Sequence, residues 1–500
     1  MKKRMIIILL AGIALSSCHK FLEVVPETSL SSATFFKTES DFEQAVNGAY
    51  APLRSIANDH AWALEELHSD NSYYARNILF GAVDNTENLA DFAVPTSKGV
   101  TTNTHVRDQY RLEYQIIART NQILATIDDV DFDADSKNNL KGQALFLRAY
   151  AYFDLVRLFG KVPLHLTPVT TRQEAALPLS PVDSIYDQII KDASEAGSLL
   201  PPKSKQEPGR ATSGAAKTLL ANVYIVLKKW ADAEKQLEDV VNSHEYDLMD
   251  DYNDAFSTST GNKNNQESVF EIQFMEGSEG YNGNFLYSFL PRPMTADEVE
   301  SITGTSNPQP LSEEGNNIPT PDIIAAYEPG DKRKDASIAY ITLSTSLRDN
   351  KVFPYIKKYA KKHALQGNTG TNWPVYRYSE VLLFLAEALN EQSKPGAGTY
   401  LNEVRKRAGL KGTTAAGISA MREAIYHERR VELAFENKRW FDLVRTGRVE
   451  QVITAYGNRV KSHPEDYYYP AGAVPPSNAF TVLDTVYPLP AEEGDLSPYF

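Results

Sequence analysis

One cysteine in 500 residues, Cys18, removes every intrachain disulfide and every Cys-based zinc site from consideration. Positive charge is in deficit: 51 Lys and Arg against 65 Asp and Glu leave a formal net charge of −14, and no basic stretch interleaved with aromatics occurs, which argues against nucleic-acid binding. Long apolar runs are missing as well, so nothing after residue 18 is expected to span a bilayer, which needs about 18 consecutive apolar residues. Catalytic signatures are also lacking. There is no G-x-S-x-G elbow, no Walker loop, no G-x-G-x-x-G after a strand and no H-E-x-x-H; His427-Glu428 begins that last motif but lacks its second histidine. No metal site and no cofactor are expected. What remains, 42% hydrophobic and 23% charged residues, is the composition of a folded globular chain.

The amino terminus reads as an address. Lys2, Lys3 and Arg4 precede an apolar run from Met5 to Leu15, the layout of a secretory signal peptide. Leu15-Ser16-Ser17-Cys18 resembles the lipobox of bacterial lipoproteins, in which the cysteine becomes the first mature residue and carries acyl chains. Each buried methylene is worth roughly 0.8 kcal/mol, so several chains hold a protein on a membrane where one does not. Residues 1–17 are therefore expected to be removed, with Cys18 as the lipid anchor. Their loss takes away three basic residues and no acidic one, making the rest more acidic still.

Downstream, helical and irregular blocks alternate. Val106, Tyr110, Tyr114, Ile117, Leu124 and Ile127 recur at the period of one helix face, and Leu140, Ala144, Leu147, Ala151, Leu155 and Leu158 repeat it after an acidic loop. Ser180-Pro181 opens a helix through Ile185, Ile189, Ala193 and Ala196, stopped by Pro201-Pro202. The helix of Ala216 to Leu227 and that of Trp230 to Val241, joined by Lys228-Lys229, resemble a tetratricopeptide repeat. Another pair, Tyr378 to Asn390 and Gly398 to Ala408, ends at Gly409 as a C-cap. A long amphipathic stretch from Ile418 to Val444 closes the helical part. The prediction is a mostly α fold: tetratricopeptide-like hairpins in a right-handed superhelical frame, with long loop-rich excursions containing short strands. The frame is placed at about 32–60, 105–245 and 376–456. The ligand-side loops fall at about 60–104, 246–375 and 457–500, all within a single domain 18–500. Strand-like patches occur at Phe270-Ile272-Phe274 and around Tyr340 to Leu343.

Three charge patterns invite a chemical reading. Glu65-Glu66 resembles paired catalytic carboxylates, yet adjacent helical residues point about 100° apart and cannot flank one bond, so surface solvation is expected. Asp129, Asp131, Asp133 and Asp135 alternate like a calcium loop, but the sixth and twelfth places hold Ala134 and Leu140, so caps and a solvated turn are expected. The cluster from His427 to Arg445 sets opposite charges at helical spacings; an ion-pair network is favoured over an anion site.

Several segments match one family in order. They are Cys18, Phe21-Leu22, Ala45-Val46-Asn47-Gly48-Ala49-Tyr50, Leu147-Arg148-Ala149-Tyr150 through Phe159-Gly160, Arg377-Tyr378-Ser379-Glu380, Glu428-Arg429-Arg430 through Glu436, and Arg439-Trp440-Phe441-Asp442-Leu443. Together they resemble the SusD/RagB family over nearly the whole chain. Only the ending Asp495 to Phe500 departs from the family's pattern, and that touches tail packing alone. The resemblance implies a non-enzymatic, surface-exposed outer-membrane lipoprotein. Such a protein binds a nutrient, usually a glycan or oligosaccharide, and acts with a SusC-like TonB-dependent transporter. Peptide cargo, a surface glycoside hydrolase and a protein scaffold are the alternatives.

A sugar site needs aromatic faces beside amide or carboxylate groups. The loop segments with that chemistry are Asp70, Asn71, Tyr73, Tyr74 and Arg76; Tyr281 and Tyr287 with Asn282 and Asn284; and Asn372 with Trp373. These are the ligand-binding candidates. No catalytic residue is proposed.

Overall fold

The computed structural model describes residues 35–76, 84–95, 99–258, 263–312 and 315–499, so the signal segment and Cys18 lie outside the described residues. Eleven helices carry the argument: α1 (Glu39–Ser55), α2 (Thr104–Thr126), α3 (Ala134–Phe159), α4 (Val182–Leu199), α5 (Ser213–Val226), α6 (Trp230–Asn242), α7 (Tyr378–Glu391), α8 (Ala397–Arg407), α9 (Ile418–Glu432), α10 (Arg439–Arg445) and α11 (Val449–Ser462). Each of α2 to α7 packs on the next, α7 also packs on α8 and α9, and α1 lies across α2 and α3. The predicted hairpins are therefore present, including the 227–229 link between α5 and α6.

Local chemistry sets the helix ends. Thr38 and Asp41 form a capping box at the start of α1, and the Asp133 carboxylate accepts the Ser136 N–H at 2.9 Å to start α3. That acidic loop caps a helix, as expected. The stretch from Ile418 to Val444 is not one helix. The chain turns at Phe435 (φ 66°) and Asn437 (φ 61°), and α10 begins after Lys438. An apolar periodicity that resumes in phase cannot report such a break.

The strands pair in twos. β1 (Ser72–Ala75) runs antiparallel to β3 (Gly315–Pro319), β2 (Ser268–Ile272) to β6 (Trp373–Arg377), and β4 (Ile338–Thr342) to β5 (Val352–Ile356). One continuous core runs from Phe42 to Tyr487, and a smaller one around Leu286, Met294, Val299 and Phe353 lies beneath the loops. Among the described residues no helix is long and apolar enough to cross a membrane, and no group of three or more His, Cys, Asp or Glu is placed to hold a metal ion.

Two corrections concern charge. Glu65 and Glu66 are buried, not solvated, because α1 continues as two π-helical turns, Ile56–His60 and Trp62–Glu66, that swing both carboxyls inward. Glu66 accepts the N–H of Phe435 and of Asn437, each at 3.0 Å, and burial pushes it up to about 7. The Glu428 to Arg445 cluster forms the expected ion-pair network. Arg377 bonds Glu436 at 2.8 Å and Glu432 at 2.9 Å, Arg333 bonds Glu432 at 3.0 Å, and Arg429 and Arg445 share Asp442. A pair of this kind holds its place because removing one partner strands the other charge in a low dielectric.

Candidate ligand cleft

The rod formed by α1 and its π turns brings Arg54 and Asn58 to the place where the loop after β2 crosses it. Asn58 acts as a latch: its Oδ1 accepts the backbone N–H of Asn284 at 2.6 Å and of Phe285 at 3.0 Å. The loop is tied at three further points. Met275 N–H donates to the Tyr281 carbonyl at 2.8 Å, Gly283 and Thr369 exchange bonds of 2.8 and 2.9 Å, and Asn282 Nδ2 donates to the Gly367 carbonyl at 2.8 Å. So held, the Tyr281 ring is 47% exposed, and the Arg54 guanidinium lies 4.7 Å from its centroid.

Tyr281 stands on the wall of a cleft of about 600 Å³ floored by Phe270 to Met275 and bounded by Tyr50, Arg54 and the turn 207–210. Across that turn lies a second depression of about 470 Å³, lined by Lys203, His244, Asn264 and Glu271 among others. The two share Glu207 to Arg210 and thus form one groove with a saddle. Gly209 makes the saddle possible: its φ is +88°, and a Cβ there would lie 2.5 Å from Gln273 Cγ. A combined space of this size suits a saccharide of a few units.

Amides and carboxylates line the groove in fixed orientations. Asn264 and Gln273 exchange amide bonds at 3.0 Å each way, and Glu271 accepts the Asn264 N–H and the Asn372 amide, both at 2.7 Å. Glu207 pairs with Arg210 at 2.7 Å, and Glu245 accepts from Ser204 N–H at 2.7 Å and its Oγ at 2.8 Å. Lys203 donates to the carbonyls of Asn265 and Ser268, and burial pushes its ammonium down to about 8. Every carboxylate lining the groove is thus engaged by protein donors. This arrangement can stack a ring and pair hydroxyls.

Most of the sequence candidates stand elsewhere. Asp70 is buried between Arg439 (2.7 Å) and Arg430 (2.8 Å), and Asn71 binds Glu66 at 3.1 Å. Tyr73 and Tyr74 are wholly buried, with their hydroxyls gathered on Asp91 and Tyr469. Arg76, half-buried, lies 5.9 Å over the Tyr469 ring. Tyr287 is buried with its hydroxyl 2.7 Å from His363 Nε2. Trp373, 3% exposed, stacks on Tyr359 with ring centroids 5.1 Å apart and meets Phe285 edge-on. Asn372 lies behind the groove floor, holding Glu271 and Gln273 from beneath. These rings are covered by other protein groups, so they offer no face to a ligand. Of the predicted set, Tyr281 and the half-buried Asn282 come together at the groove. Arg54, Asn58, Lys263 and Gln273 were missed. The alternation of Glu271 and Gln273 with Phe270, Ile272 and Phe274 was the one signal available.

A helical stack whose irregular segments fold back over it to shape a polar, aromatic-edged groove defines a binding protein built on a tetratricopeptide-like frame. The comparisons with known proteins agree. A family model described as "SusD family" matches residues 330–499, and one described as "Starch-binding associating with outer membrane" matches residues 20–225. SusD-like protein P2 of Formosa agariphila is 28% identical, with 99% of this chain and 97% of the relative covered. Among solved structures, a laminarin-binding SusD-like protein superposes with a TM-score of 0.72 at 24% identity, covering 92% of this chain and 98% of its own. The surface glycan-binding protein A from Bacteroides uniformis gives 0.74 at 22%, covering 93% and 99%. The chain belongs to the SusD/RagB family.

Proposed function

We propose that this protein captures a glycan or oligosaccharide at the outer-membrane surface and passes it uncut to a SusC-like TonB-dependent transporter. In this reading Cys18 carries the lipid that tethers it. The observation that carries the proposal is Tyr281, a ring held out beside a groove by four backbone ties and flanked by oriented amides. Such a ring binds a sugar face without first being ordered, which spares the entropy that an unrestrained loop loses on binding. The printed names of the laminarin-binding and glycan-binding neighbours support the same ligand class. Absence of turnover is supported by the engaged state of Glu207, Glu245 and Glu271, since glycoside hydrolysis needs two carboxyl groups free to flank one bond.

Isothermal titration of the mature chain against a polysaccharide and oligosaccharide panel tests it, with reducing ends followed over time. Saturable binding without product, weakened at least tenfold by Tyr281→Ala, is the expected result. Steady release of reducing ends, or binding of peptides in place of every saccharide, would overturn it.

A further inference from the structure

Buried or half-buried arginines in this fold come with carboxylates. Arg148 has Asp192 at 2.7 Å, Arg429 has Asp442 at 2.9 Å, Arg439 has Asp70 at 2.7 Å, and Arg405 has Glu328 at 2.6 Å. Arg54 breaks the pattern. It is half-buried, its one recorded contact is the Tyr281 ring, and among the described residues it makes neither an ion pair nor a hydrogen bond. Burial pulls its guanidinium down from the ordinary value, and no carboxylate acts to restore it. Its five N–H donors are unspent in a cleft wall.

The same half of the groove holds Lys263, whose Nζ donates to the Phe274 carbonyl at 2.5 Å and keeps two further N–H groups, and Arg210, already paired with Glu207. Its two carboxylates, Glu207 and Glu271, are both engaged. On a chain of net charge −14 this is a local reversal of sign around the exposed ring. A neutral sugar needs hydroxyl partners, which the amides of Asn264 and Gln273 supply. A desolvated guanidinium fork without a partner instead matches two oxygens of one anionic group.

We propose that the cleft selects acidic saccharides, seating a ring carboxylate or sulfate on Arg54 with Lys263 beside it while Tyr281 stacks the sugar. This rests on the glycan reading above and narrows its ligand class. The test is titration of the mature wild-type chain, Arg54→Gln and Lys263→Gln with three probes: oligogalacturonates, sulfated carrageenan oligosaccharides and neutral laminari-oligosaccharides. The expected result is binding of one acidic series, weakening as salt rises, reduced at least tenfold in Arg54→Gln and several-fold in Lys263→Gln. The thermal midpoint should be unchanged in Arg54→Gln because that side chain has no polar partner to lose. Which acidic series binds distinguishes carboxylate from sulfate. Preference for the neutral series, or acidic binding indifferent to Arg54→Gln, would overturn this inference and leave the glycan reading standing. Failure of the folded wild type to bind any of the three series would overturn both.

Discussion

Asp70 and Arg439 stand 369 residues apart in the chain and meet side-on, with Nε 2.7 Å and Nη2 3.0 Å from the two carboxylate oxygens. Arg430 adds a third contact at 2.8 Å. This clasp fastens the segment leading into β1 to the start of α10, the join between the amino-terminal and carboxyl-terminal parts of the frame.

Asp70→Asn is expected to cost about 3–5 kcal/mol, because it leaves two buried guanidinium groups without their charge partner. Burial pushes the Asp70 carboxyl up, but Arg439 and Arg430 outweigh it and hold it well below its ordinary 3.8. A carboxylate lowered on folding stabilises fully above that value, and its contribution disappears as pH falls through the lower folded one. Urea unfolding at pH 7 and at pH 3 checks both points. The mutant's deficit should be large at pH 7 and smaller at pH 3; equal deficits would refute the linkage.

Glu113 predicts the opposite slope. Burial, then repulsion from Asp154 and Glu65, raises its carboxyl well above 4.5, and Gln109 Nε2 donates to it at 2.9 Å. An acid raised on folding stabilises fully below 4.5, and that contribution is lost as pH rises through its folded value. Glu113→Gln should therefore be close to wild type in stability near pH 4.5 and more stable by about 1 kcal/mol or more at pH 8. Chemical denaturation at the two values decides it, and a difference that does not change with pH would count against a protonated Glu113.

Trp373→Ala is expected to act on the fold. Its ring fills a fully packed site against Tyr359, Phe285 and Phe289, so truncation should cost about 3–5 kcal/mol. A melting midpoint within a degree of wild type would show that the ring is not packed as described.

Gly209→Ala probes the saddle. The left-handed backbone at φ +88° costs about 1–2 kcal/mol for a residue with a Cβ, and the contact with Gln273 adds to it. Gly472→Ala, at φ +75° with open space around it, is the control. Both should lose stability, but only Gly209→Ala should weaken saccharide binding, as read by titration calorimetry.

Much of the frame was legible because helix periodicity and caps are local. The pairs 216–241 and 378–408, the Gly409 stop and the ion-pair network all followed from residues within a few turns of one another. The break at Phe435 and the inward turn of Glu65 and Glu66 did not, because left-handed residues and π turns leave an apolar repeat unchanged while altering which face a side chain joins.

The sequence by itself determined the helical frame, the family and the expectation of a membrane-tethered binder, since each rests on short-range pattern or on motif order. Only the tertiary structure decided which aromatics meet solvent. Tyr73, Tyr74, Tyr281 and Trp373 have similar polar neighbours in the chain, but exposure depends on what folds over them from hundreds of residues away. Tyr469 and Asp91 cover the first two, Tyr359 and Phe285 cover Trp373, and Asn58 holds the loop that leaves Tyr281 uncovered.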